Sequence, residues 1–217
     1  MKNANFLIAL VIFFVLILGI KSSYYETIEM EKHPAVNEYA VLPDHMLRNA
    51  SHYYIDYGQR LTTIDYIHKA IDAMKIIEKD MDDYSNETIE FAIMDLEVLI
   101  AEFERKEIDE RHMQHAFANA LNSLALAQLR ASEVYQRDSL KEDAENAAMY
   151  ALEHISNSMY FSDAGELRAE RHIYELIEEL KKNEKITAED KRERLHAAVE
   201  ELDIMLSGSE YSKSIKQ

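Results

Sequence analysis

Between Asp44 and Leu206 the chain has no proline and only two glycines, Gly58 and Gly165. Proline costs a helix interior about 3 kcal/mol and glycine about 1 kcal/mol, so a long stretch almost free of both can run as helix nearly throughout. The residues that fill it point the same way: Ala, Leu, Glu, Met and Lys are common and valine is scarce. The expected fold is all-α, an antiparallel helical bundle of five to six helices over residues 45–206, following an N-terminal transmembrane or signal helix. A stretch of this length suits one domain with a sizeable core.

Caps and apolar stripes divide the stretch. A first helix is expected from Asp44 to Asp82, weakened at Gly58, with Ile64, Ile67, Ile71, Met74, Ile77 and Met81 on one face. Ser85 or Asn86 would cap the second, striped by Ile89, Ile93, Leu96, Leu99, Ile100 and Phe103. Asp109 would cap the third, striped by Met113, Phe117, Ala120, Leu121, Leu124, Ala131 and Val134. Capping boxes are read at Ser139/Glu142, Asp163/Glu166 and Thr187/Asp190 for the remaining three. The fourth helix has a small inner face of Ala144, Ala148, Ala151 and Ile155. The fifth carries Ile173, Leu176, Ile177 and Leu180, and the sixth Leu195, Val199, Leu202 and Leu206. Leu99-Ile100-x-Glu102 also lines up with Leu176-Ile177-x-Glu179, and His115-Ala116 with His196-Ala197, which raises a duplication of a helical unit.

Ahead of the helices lies the apolar run Phe6–Ile20, flanked by Lys2 and Lys21. At about 1.5 Å per residue it covers roughly 22 Å, short of the ~30 Å hydrocarbon core unless Lys21 snorkels. The run fits a signal segment, but Ile20 is a poor residue three positions before a cut after Ser22. Tyr24 and Tyr25 suit the membrane interface of a retained anchor. Residues 1–21 are therefore expected to be a membrane anchor, or alternatively a signal cleaved near Ser22. Residues 22–44, which hold both prolines, would be a flexible tether, and 207–217 a disordered tail. The acidic body would then be extracytoplasmic: single-pass and membrane-held through residues 6–20, or secreted to the periplasm after cleavage.

Charge and composition limit the partners. A formal net charge of −17 repels nucleic acid and anionic headgroups, so no nucleic-acid partner is expected. The chain has no cysteine, which excludes disulfides, thiolate metal sites, lipoprotein anchors and covalently attached haem.

Nine histidines and ten methionines direct attention to metal. His112-Met113-Gln114-His115 puts two imidazoles one turn apart, a spacing that can share zinc, copper or nickel, and the Met113 thioether would suit Cu(I). Met113 belongs to the core stripe, however, and His115 is expected on the solvent side. His68, beside the Ile64–Ile71 stripe, is expected to be semi-buried and is the third candidate ligand. Acidic-x-x-His pairs occur at Asp65/His68, Asp109/His112 and Glu193/His196. With 41 acidic residues present such pairs arise readily by chance, and Asp109 is needed as a cap, which weighs against a di-iron bundle. No phosphate-binding glycine loop, Gly-x-Ser-x-Gly elbow or His-Glu-x-x-His is present. The expected function is a non-enzymatic interaction or scaffold module of the cell envelope, meeting a protein partner or a second copy through helical faces. The alternative is a His/Met metal-binding or metal-sensing bundle.

Overall fold

A computed structural model describes residues 38–182 and 187–208 of the chain. The expectations for the apolar run 6–20, the cleavage near Ser22, most of the tether and the tail beyond 208 lie outside these residues. Among the described residues there is no strand, and no helix is long and apolar enough to cross a membrane. A short 3-10 turn, Glu38–Val41, leads into seven α-helices. They are α1 (Leu42–Ile55), α2 (Arg60–Glu78), α3 (Asp83–Arg105), α4 (Glu110–Arg137), α5 (Lys141–Ser158), α6 (Glu166–Lys182) and α7 (Ala188–Gly208).

The helix count departs from the expected five to six because Gly58 does more than weaken the first helix. It adopts φ 62°, where a side chain is strained, and the chain reverses there so that α2 folds back on α1. The tether also ends earlier than residue 44. Pro43 sits in the first turn of α1, where its missing N–H would have had no intrahelical partner anyway.

Of the expected caps, Asp109 accepts from the Arg111 amide at 2.9 Å. Asp163 accepts from the amides of Gly165 and Glu166, and Thr187 from that of Asp190. Two caps differ. Asp82, rather than Ser85 or Asn86, opens α3 by accepting from the amides of Tyr84 and Ser85. Ser139 does not cap α5, because it sits at φ 64° and closes α4 instead. There the Leu140 amide donates to the Tyr135 carbonyl and the Ser139 amide to that of Gln136, the paired bonds of a Schellman ending. Lys106, also at φ 64°, ends α3 in the same way. Arg60 then covers the last turn of α3, donating to the carbonyls of Phe103 and Glu104.

The stripes read from the sequence face inward with one clear exception. Val134 is exposed, and Tyr135 takes the buried place. The sequence stripe on α4 describes half of its packing. Residues 120–129 are buried without interruption, because α4 has two apolar faces. Met113, Phe117, Leu121 and Leu124 join a core built with α1, α2 and α3. Ala125, Leu126 and Leu129 join a second core built with α5, α6 and α7. Tyr135, Ala144 and Ala147 form a small separate cluster where α4 meets the start of α5. The bundle is thus two layers of helices sharing α4 as a spine.

Left-handed residues other than glycine leave room for improvement. Lys106→Gly and Ser139→Gly should each raise the urea midpoint, by about 1 kcal/mol of stability, whereas Gly58→Ala should lower it by at least that amount. Equilibrium urea unfolding followed by helical ellipticity tests all three, and a stabilising Gly58→Ala would contradict the turn described.

Candidate functional site

Polar side chains recur on α4 at a helical period despite its apolar surroundings: His112, His115, Asn119 and Asn122, spaced three, four and three apart. This spacing puts them on one side of the helix. In the structure that seam meets carboxylates supplied by α3 and α6.

At its N-terminal end His112 lies between two acids of α3. Nε2 is 3.2 Å from Asp95 Oδ1 and Nδ1 is 2.8 Å from Glu102 Oε2. The ring is 9% exposed. The hydrogen bond to Asp95, opposed by burial and aided by Glu102, raises the His112 pKa to about 9. With both nitrogens facing carboxylates, the ring is an imidazolium that donates twice. One turn on, His115 Nδ1 meets Glu166 Oε1 of α6 at 3.1 Å, and this contact raises its pKa as well. The Asn119 amide nitrogen lies 3.2 Å from His115 Nε2.

The seam continues inward to Glu170 of α6, which is fully buried. Its Oε1 accepts from Asn122 Nδ2 at 2.8 Å, Ser158 Oγ at 2.8 Å and Ser162 Oγ at 2.6 Å. Its Oε2 and the Asn122 Oδ1 are both buried and have no hydrogen-bond partner among the described residues. Burial holds the carboxyl above its ordinary range, and the three donors only partly offset this. Separately, α1 and α5 are joined by Asp44, which is 2.7 Å from His154 Nδ1 and accepts from Asn157 Nδ2 at 2.9 Å. Both Asp44 and His154 are fully buried, and among the described residues His154 Nε2 has no hydrogen-bond partner.

The three histidines read from the sequence are not brought together. His112 and His115 share the seam, but His68 is exposed on α2 rather than semi-buried. His115 is partly buried and ion-paired rather than on the solvent side. Asp109 serves as a cap, as its position suggested. The residues that sequence reasoning missed are Asp95, Glu102, Glu166 and Glu170, together with the Asp44–His154 pair. The four-residue periodicity of polar groups on α4 was the available signal for the seam. No local spacing signals a partner 110 positions away, as at Asp44 and His154.

Chemically the outer part of the seam is a set of ion pairs, His112 with Asp95 and Glu102 and His115 with Glu166, while Glu170 at its inner end is held by neutral donors. A metal needs a neutral imidazole with a lone pair directed at it, whereas His112 presents N–H groups to carboxylates on both edges. Among the described residues no group of three or more His, Asp or Glu side chains is arranged to hold an ion. Among the described residues no hydroxyl is hydrogen-bonded to His154 Nε2. Compared with protein-family models, curated proteins and solved structures, the chain matches none.

The raised pKa of His112 makes stability depend on pH in a defined direction. Folded His112 titrates near 9 and the unfolded residue near the ordinary 6.5, so the contacts of His112 with Asp95 and Glu102 contribute fully below about pH 6.5 and their contribution is lost as pH rises through 9. His112→Gln should therefore cost on the order of 3 kcal/mol at pH 6 and much less at pH 10. Urea unfolding of both chains at the two pH values measures this, and a cost that does not change with pH would refute the imidazolium. At Glu170 the sign reverses, because burial disfavours the charged carboxylate. Glu170→Gln keeps an oxygen acceptor for the three donors and removes the charge, so it should raise stability by about 1–2 kcal/mol at pH 7 and by less near pH 4. The same unfolding measurement decides it.

Proposed function

We propose that the chain is a non-enzymatic interaction module of the cell envelope, anchored through residues 6–20 with its acidic helical body outside the membrane. Its partner is a basic amphipathic helix laid on the outer face of α3. The observation that carries this reading is an exposed apolar stripe. Phe91, Met94 and Val98 recur at helical spacing on α3 and are 39%, 48% and 46% exposed. Single exposed apolar residues are ordinary, whereas three aligned on one face form the type of surface a partner helix reads.

Charge specifies the partner further. Exposed Glu87, Glu90 and Glu97 border the stripe. Burial, and then the neighbouring Glu90 carboxylate, hold the Glu78 carboxyl above its usual range, so acids already crowd the α2–α3 edge. A second copy would bring the same acids face to face, while lysines and arginines beside an apolar stripe would relieve the crowding. The metal alternative has less support, since the nitrogens of His112 already meet carboxylates and His68 lies apart from the pair.

A photo-crosslinking residue placed at Met94 of the full chain in membranes, with Arg111 as an exposed control, tests the proposal. The expected result is an adduct at 94 and none at 111. It should be lost in about 0.5 M salt, where charge attraction is screened, and lost again in Glu87→Lys/Glu90→Lys. Phe91→Asp/Met94→Asp should remove partner binding and leave the melting temperature nearly unchanged, because both positions are exposed. An adduct of two copies of this chain, or one indifferent to salt and to charge reversal, would overturn the basic helix. No adduct at 94 would overturn the reading as a whole.

A further inference from the structure

The second layer of the bundle is not continuously packed. α5 presses its alanines against α4, with Ala144 and Ala147 beside Tyr135 and the Ser132 hydroxyl donating to the Ala144 carbonyl at 2.8 Å. The α6–α7 hairpin packs instead on the lower part of α5 and on α4, through Leu152, Ile173, Ile177 and Leu195. The two clusters do not join, and a groove of about 640 Å³ opens between α5, α6 and α7 where they part. Small side chains on α5, Ala144 and Ala148, are too short to fill it. Its apolar lining is Ala148, Met149 and Leu180, over Leu152, Ile177 and Leu195, which are already buried.

The rim has a different character. Lys141 and Lys191 border the groove together with Gln136, Asn146 and one carboxylate, Glu145. Among the described residues, lysines and arginines such as Lys69, Arg130, Lys182 and Arg194 pair with a carboxylate. Lys191 is half-buried, and among the described residues its ammonium has no ion-pair or hydrogen-bond partner. Lys141 reaches Glu145 only at 3.7 Å and is largely exposed. An apolar slot with an uncompensated ammonium at its mouth matches a ligand with one apolar chain and one anionic end. Its volume lies within the roughly 300–1,000 Å³ typical of small-ligand sites.

We propose that the groove between α5, α6 and α7 binds a single-chain anionic amphiphile, with the alkyl chain along Ala148, Met149 and Leu180 and the anionic head on Lys191 and Lys141. The carboxylate or phosphate head gains a charge-assisted hydrogen bond that a neutral or cationic head cannot make. The apolar chain covers Met149 and Leu180, which the helices leave partly exposed. This site lies on the opposite layer from the α3 stripe and does not depend on how that stripe is used.

The chain contains no tryptophan, so Met149→Trp supplies a single fluorescent reporter on the groove wall. The full-length protein in zwitterionic lipid nanodiscs is titrated with 12-bromododecanoate, whose bromine quenches a nearby indole. Quenching should saturate and be reversed by unbrominated dodecanoate. In the Met149→Trp background, Lys191→Glu should weaken it at least about tenfold, and dodecyltrimethylammonium should compete at least about tenfold less well than dodecanoate. Ala148→Phe, which fills the slot, should abolish saturable quenching while far-UV ellipticity and melting temperature stay as in the parent. Quenching that rises linearly and equally in every variant reports partition into lipid alone and overturns the proposal. So does an indole already shielded before titration and unresponsive to the probe, which would mean another part of the protein or a second copy occupies the groove. Equal affinity for the anionic and cationic amphiphiles would likewise remove the role assigned to Lys191.

Discussion

The structure depends on one helix that has no solvent face along its middle. Residues 120–129 of α4 are buried on every side. Each fully buried leucine there contributes about 1.5–3 kcal/mol of transfer free energy, and those leucines are divided between two partners. Leu121 and Leu124 face α1–α3, while Leu126 and Leu129 face α5–α7. Neither layer can close its core without α4, and α4 alone would expose two apolar stripes. The two halves therefore fold as one unit around a shared spine. Because every helix but α4 has a solvated side, the remaining helices can stay short and amphipathic.

Hydrophobic burial does not by itself fix how helices slide along such a spine. That task falls to polar contacts between layers. Asn122 reaches Glu170 of α6, Asp44 of α1 reaches His154 of α5, and Arg130 of α4 binds Asp82 through both Nε and the guanidinium end. Tyr84 stacks under Arg130 and donates to Asp203 of α7, which raises the phenol pKa to about 12. A one-turn slip at Asn122–Glu170 or Asp44–His154 would leave a buried carboxylate or imidazole unpaired, at a cost of several kcal/mol. In a chain of formal charge −17, histidine suits this role. At His112 the surrounding acids keep the ring protonated, and the ring in turn offsets the repulsion between Asp95 and Glu102.

What the sequence discloses is governed by range along the chain. The caps Asp109, Asp163 and Thr187 act on amides two or three residues away, and they were legible. The single stripes of α2, α3 and α7 were legible because one face is apolar and the other polar. On α4 the second stripe was hidden in plain composition, since Ala125, Leu126 and Leu129 only read as a face once the first is known to be taken. Ser139/Glu142 has the letters of a capping box, yet a Schellman ending claims the same serine. At the site, the His112/His115 pair was visible as a local spacing, but the acids that define its chemistry arrive from α3 and α6. Proximity to a stripe misplaced His68. It follows Ile67, and successive helical positions diverge by about 100°, so a neighbour of a core residue can be fully wet.

The buried groups and the surface groups therefore call for different functional arguments. The seam histidines already face carboxylates, and engaging them with a ligand would require breaking ion pairs that hold α3, α4 and α6 in register. Two surface features call for an argument of another kind: the apolar stripe of α3 and the groove of the second layer. They are also unequal mechanically. The stripe rests on α3 side chains packed into the larger core, including Ile93, Leu96 and Leu99, and so presents a rigid surface. The groove lies where the second core divides into two clusters, and a helix pair with fewer buried contacts opens at lower free energy. A rigid face suits recognition of a preformed helix, whereas a yielding slot can adjust its width to a flexible chain. The gap in the second core thus has a physical role: filling it would stabilise the α6–α7 hairpin and remove the space that a ligand could occupy.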